Sequence, residues 1–291
     1  MPKFHVLALV LAGIVGLGIA MVWALSGAHV LRFSDTPVIQ QPDSSGQVFL
    51  PVAPAEPESA VASATNWLER NGWRQVWPKW PLGKRQELFF AGPLTQRYLR
   101  VATENTYYIW AHQMDLDPQR LPVLAVTWGV ERFPHGAALD LHKRNDRPLV
   151  IIVSFGPKVA SGGLLPDVPR ALAFFWGETE TLGTMYTCAM PRNGPAEVRL
   201  QCQYPHIKYV ALRRGEAGSV HTDQVHLLEY FRQHFPEYWQ EQQRVPSVTG
   251  VSFEARSDLT GSASSARLYA IAFTPEVGAD GLGAGQTRER P

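Results

Sequence analysis

Between residues 66 and 275 the chain is a succession of short apolar runs, each closed by proline, glycine or charge. "RYLRVAT" and "NTYYIWAH" come first, then "LPVLAVTWGVERF" and "RPLVIIVSFG". "RALAFFWGE", "TMYTCAM", "EVRLQCQY" and "IKYVALRRG" follow. Many short strands separated by turn signals fold into a sandwich or a barrel. Nine tryptophans and 11% aromatic residues fit a β-rich, well-packed body.

One segment departs from this pattern. "TDQVHLLEYFRQHFPEYW" carries Leu228, Phe231 and Phe235 at helical spacing. Thr222 is its candidate N-cap, and Pro236 should kink or end it. This predicts an amphipathic helix lying against the sandwich. "ATNWLERNGWRQ" predicts a shorter helix at the entrance to the domain. At the other end, Val251, Phe253 and Ala255 alternate with Ser252, Glu254 and Arg256. Leu268, Ala270 and Ala272 then alternate with Tyr269, Ile271 and Phe273. Between these two strands lies "SDLTGSASS", too long and polar for a minimal hairpin turn. It reads either as a solvated connection, in which Asp258 makes a local turn bond, or as part of a ligand rim.

Outside the body, residues 1–31 read as a membrane anchor and residues 32–65 as a Pro/Ala/Ser-rich tether. The Gly-rich residues 276–291 read as a disordered tail. Residues 4–25 contain no Lys, Arg, Asp or Glu and would span roughly 30 Å as a helix, the thickness of the hydrocarbon core. Gly13, Gly16 and Gly18 would let another helix approach, and Trp23 suits the interface. A cleaved signal peptide competes, but the apolar run is long and "ALSGAHV" is a poor cleavage site. Lys3 and the free amine place the N-terminus in the cytoplasm, with Arg32 a weak counterweight. The net charge of +1 and the lack of a basic run give nucleic acid no footprint.

The two cysteines, Cys188 and Cys202, flank a hairpin predicted around "RNG". Outside the cytoplasm they would form a disulfide, and inside it they would be two buried thiols. No Cys/His spacing marks a zinc site.

The ordered set "LAVTWGVERFP", "NDRPLVIIVSFG", "ALAFFWGE", "IKYVALRRGEAG", "HLLEYFRQHFPE" and "GVSFEARSDLTGSASSARLYAIAF" resembles the bacterial DUF3047 family from about Trp73 to Phe273. The resemblance implies an exported domain, with a jelly-roll or galactose-binding-like sandwich as the inferred fold. It implies no activity. With the anchor, it implies a single-pass protein of the bacterial inner membrane whose body is periplasmic. The family tends to carry an acidic pair and then an arginine entering the strand matched by "NDRPLVIIV". Here the pair is Asn145–Asp146, and Val150 takes the arginine position. The family's closing loop is richer in Asp and Asn, whereas Asp258, Thr260 and Ser262 remain here and Leu259 replaces a polar residue.

No nucleophile elbow, HExxH pair, P-loop or dinucleotide fingerprint is present, so no cofactor or metal is expected. Glu178 and Glu180 lie two apart and could share a strand face, but glycosidase carboxylates face each other across a substrate. Asp140 and His142 could begin a metal site that lacks a third ligand. His226, Tyr230 and His234 form a helical stripe that reads as a polar shoulder. Trp128 and Trp176 read as core. Exposed beside Asp146 or Asp258, they would instead make a sugar platform, with Thr260 on its rim. Three functions follow: a non-catalytic binding domain for envelope polysaccharide, an accessory subunit of a membrane-protein complex, and an envelope glycan hydrolase. The lack of a catalytic constellation places the third last.

Overall fold

The computed structural model of the chain describes residues 48–51, 64–77, 86–93, 96–141, 143–161, 167–187 and 204–276. Among them, β1 (Val48–Pro51) precedes α1 (Ala64–Arg70), β2 (Trp73–Trp77), β3 (Phe89–Ala91), β4 (Tyr98–Glu104) and β5 (Tyr107–Leu116). Next come β6 (Val123–Arg132), β7 (Arg147–Val159), β8 (Val168–Gly177), β9 (Met185–Thr187) and β10 (Ile207–Arg214). The chain continues through β11 (His221–His226), α2 (Leu227–His234), α3 (Pro236–Gln242), β12 (Val248–Arg256) and β13 (Ala263–Thr274).

The protein is mainly β. Its strands form a six-stranded sheet in the order β11-β6-β13-β4-β3, with β1 also on β13, and a seven-stranded sheet in the order β2-β5-β12-β7-β8-β10-β9. This arrangement is consistent with a β-sandwich. The core draws on both sheets. Leu99, Val126, Trp128, Leu268 and Phe273 come from one, and Trp110, Ile151, Phe174, Trp176 and Phe253 from the other. Period-2 alternation turns these residues inward and their neighbours outward.

Three details differ from the sequence reading. First, Thr222 caps no helix. It lies in β11, opposite Thr127 of β6, and the two hydroxyls are 2.9 Å apart. Helix α2 begins at Leu227, whose amide donates to the Pro122 carbonyl at 2.7 Å. That bond satisfies one of the free amides that every helix start leaves. Leu228, Phe231 and Phe235 are buried as predicted, and Pro236 opens the separate helix α3. His234 of the supposed polar stripe is itself buried.

Second, β13 does not keep one phase. Its register against β6 slips between Leu268 and Ala270, leaving Tyr269 as the extra residue of a bulge. Leu268 therefore shares the core with Ile271 and Phe273, and Tyr269 falls outside it.

Third, β1 lies within the stretch read as tether, yet it pairs with β13 from Val48↔Phe273 to Pro51↔Ala270. Ala64 and Thr65, just ahead of residue 66, are fully buried.

No helix among the described residues is long and apolar enough to cross a membrane. Residues 4–25, Cys188, Cys202 and most of the 276–291 tail lie outside the described residues.

Candidate functional site

The outer face of the seven-stranded sheet carries the polar residues of β12. Val251, Phe253 and Ala255 point into the core, so Ser252, Glu254 and Arg256 point away from it. Arg256 lies opposite Tyr107 of β5 and Arg147 of β7. Glu254 lies opposite Ile109 and Val150, and Ile109 in turn faces Trp77 of β2. Two arginines directly across a strand pair would repel. Each is matched instead by its own acid. The Arg147 Nε donates to Glu254 Oε1 at 3.0 Å, its Nη2 donates to the same oxygen, and its Nη1 donates to Asn145 Oδ1. Arg256 donates to Asp258 at 2.7 and 3.3 Å and lies 3.7 Å from Asp146.

Aromatic rings complete the cluster. The Arg147 guanidinium sits 4.8 Å from the Tyr209 ring centre, and that of Arg256 sits 4.6 Å from the Tyr107 ring. Trp77 packs on Tyr107 with ring centres 6.0 Å apart. Burial and the nearby Glu254 carboxylate push both tyrosine hydroxyls well above their ordinary pKa, so both stay protonated. Burial works against the charge on Arg147, and Glu254 more than offsets it. The cluster grades from buried to open. Glu254 is 1% exposed and Trp77 is 44% exposed.

Two loops are tied to this cluster by carboxylates. Asp146 accepts from the Leu259 amide at 3.3 Å and from the amide and hydroxyl of Thr260, both at 2.7 Å. Thr260 then meets the Ser262 hydroxyl at 2.7 Å, and Ser262 accepts from the His135 amide at 3.1 Å. The segment between β12 and β13 is therefore a bonded crossing from one sheet to the other. Asp258 pairs with Arg256 within that crossing. Glu180 fixes the loop before β7, accepting from the Leu139 amide at 2.9 Å, while the Asn145 side chain donates to the Leu139 carbonyl at 2.7 Å. Leu139 is thereby held against Val150, Phe175 and Tyr209 on the outer face. A Cβ at Gly177 would fall 2.1 Å from Glu180 Oε2, so only glycine lets that carboxylate in.

Asp146, Asp258 and Thr260 thus meet around Arg256. Trp128 and Trp176 do not join them. Both are fully buried, with ring centres 6.0 Å apart. Their indole N–H groups are already used, Trp128 on Asp223 at 2.7 Å and Trp176 on the Gly215 carbonyl at 2.6 Å. Glu178 is exposed and Glu180 buried, both beyond the end of β8, so they share no strand face. Asp140 is half-buried and His142 lies outside the described residues. Among the described residues no three His, Cys, Asp or Glu are grouped to hold a metal. The arginine entering β7 is Arg147, and Val150 packs in the cluster beneath Leu139. Trp77, Tyr107, Arg147 and Tyr209 had no distinguishing mark in the sequence, and Glu254 and Arg256 showed only as the polar side of a strand.

A sequence profile described as "Protein of unknown function (DUF3047)" matches residues 76–272. The chain belongs to the DUF3047 family. The match covers nearly the stretch over which the ordered motifs resembled it. No curated protein matches this DUF3047 chain. Among solved structures, the xyloglucanase domain of a type three effector from Sinorhizobium fredii, in complex with cellobiose, aligns at 9% identity and a TM-score of 0.33. That alignment covers 77% of this chain and all of that one. An agarase aligns at 9% identity and a TM-score of 0.24, over 70% of this chain and 25% of that one. At such scores these alignments set neither fold nor function.

Proposed function

We propose that this DUF3047 protein is a membrane-anchored, extracytoplasmic binding domain for envelope carbohydrate that acts without catalysis. The observation that carries this reading is the open edge of the outer-face cluster. There an exposed Trp77 leans on Tyr107, and Tyr107 lies under Arg256 beside the exposed Asp258. Flat rings suit the C–H faces of sugars, and fixed charged groups suit their hydroxyls. The neighbouring carboxylates support binding over hydrolysis. Glu254, Asp146 and Glu180 are each committed to an arginine or to loop amides. A glycosidase instead needs two carboxyl groups free to face one bond. A jelly-roll-like winding is part of the proposal. It is supported by β4, β5, β6 and β7 alternating between the two sheets, as β12 and β13 also do.

The binding test uses the purified full chain in detergent micelles, titrated with envelope polysaccharide fractions. Trp77→Ala is expected to weaken binding about tenfold, or 1.4 kcal/mol, with the fold intact. Unchanged binding by both Trp77→Ala and Tyr107→Ala would remove the site. For the orientation, a phosphatase that works only after export is fused at Ala64. An inactive fusion, paired with an active cytoplasmic reporter at the same residue, would reverse the assigned topology.

A further inference from the structure

The outer face of the other sheet carries a second arrangement that no function above uses. Phe89 of β3 lies opposite Arg100 of β4, Arg100 opposite Arg267 of β13, and Arg267 opposite Gly129 of β6. Directly opposed residues share a face, so Phe89, Arg100 and Arg267 form one row. Phe89 is 50% exposed. Two residues back along β4, Tyr98 shares this face, and its ring centre is 5.2 Å from that of Tyr269. Tyr269 is the bulged residue of β13, and a bulge re-aims its side chain. The bulge therefore brings Tyr269 onto Tyr98 without costing the core Ile271 or Phe273.

The charges on this face are unequal in state. Arg267 is occupied, donating to Glu131 at 2.7 Å with its guanidinium 5.6 Å from the Tyr98 ring centre. Arg100 is exposed, and among the described residues no carboxylate pairs with it. Arg132 is also exposed, opposite Ser265 in the adjoining row. Against these three arginines stand Glu131, already taken, and Glu104 further along β4. The face is thus a strip of rings beside two guanidinium groups, those of Arg100 and Arg132, that have no carboxylate partner among the described residues. A guanidinium recognises a carboxylate in a two-pronged, planar geometry, and rings recognise the C–H face of a pyranose.

We propose that this face is a binding site for an acidic, uronate-type polysaccharide. Arg100 takes the sugar carboxylate, and Phe89, Tyr98 and Tyr269 form the stacking floor. The proposal does not depend on the Trp77 edge, which lies on the other sheet.

The test titrates the full chain in detergent micelles with oligogalacturonate and with its methyl ester, which keeps the backbone and removes the charge. Wild type should bind the acid at least tenfold more tightly than the ester, and salt should weaken the acid complex. Arg100→Glu and Phe89→Ala should each lose at least tenfold for the acid, whereas Trp77→Ala should retain it. Both substituted residues are exposed, so an unchanged urea midpoint is expected and serves as the folding control. Equal binding of acid and ester, or full binding by Arg100→Glu, would overturn the site. Loss with Trp77→Ala and not with Arg100→Glu would overturn it and leave the Trp77 edge as the carbohydrate site. Self-association abolished by Phe89→Ala, with no binding of the acid, would overturn it in favour of a second copy on this face.

Discussion

At the scale of single residues, the outer-face cluster depends on one buried ion pair. Among the described residues Arg147 pairs with one acid, Glu254, and also meets Asn145 and the Tyr209 ring. Removing one partner of a buried pair leaves an uncompensated charge, which costs about 3–5 kcal/mol, far more than the pair's own net contribution. Glu254→Ala should therefore lower stability by about that amount, read as a fall in the urea midpoint. Arg147→Met combined with Glu254→Leu should recover much of the loss, because neither charge then remains. A Glu254→Ala protein within about 1 kcal/mol of wild type would mean that water reaches Arg147. The sequence marked Glu254 and Arg256 only as the polar side of a strand, which ordinarily means solvent. Glu254 is buried with Arg147, which lies more than a hundred residues earlier and reaches it only in the folded sheet, and Arg256 is matched by Asp258. Asp146 and Thr260 were legible as polar positions in the motifs that carry the family resemblance. Their partnership with each other was not.

At the scale of elements, most strands were readable because apolar runs and turn signals are local properties. Strand phase was not always readable. A perfect alternation in "RLYAIAF" places Tyr269 with Ile271 and Phe273, but the bulge against β6 reverses the phase at that point. Such a slip is set by how two strands pair, and the partner here is far away in the chain. The same cause explains residues 221–226. "HTDQVH" has a helical-looking sequel and a threonine suited to capping, yet β6 offers a ladder from His221↔Trp128 to His226↔Val123. That ladder satisfies the backbone before the helix begins at Leu227. Likewise, the loop between β12 and β13, too long for a minimal hairpin turn, carries the chain from one sheet to the other, a crossing that the sequence does not show. The Asp146 contacts to Leu259 and Thr260 hold that crossing in place.

At the scale of the whole molecule, three histidines couple folding to pH. Burial holds His112, His206 and His234 below the ordinary imidazole value. Arg170 and Lys208 add to this at His206, and Lys208 adds to it at His234. Asp167 near His206 and the backbone at Asn71 and Gly72 near His112 pull the other way without reversing the direction. In the unfolded chain each imidazole titrates near its free value, about 6.5. As pH falls below that, the unfolded state takes up protons that the folded state refuses. Stability then falls with falling pH, since it rises with pH wherever the unfolded chain binds more protons. Above about pH 7 both states leave these groups neutral, and the histidines add no slope. The urea midpoint should accordingly be level from about pH 8 to 7 and decline between about 6.5 and 5. His112→Gln should make that decline shallower, because one of the refused protons is gone, whatever the substitution does to the plateau. A midpoint that rises through this range, or a His112→Gln decline as steep as that of wild type, would mean that the folded protein accommodates the imidazolium and that burial does not set its titration.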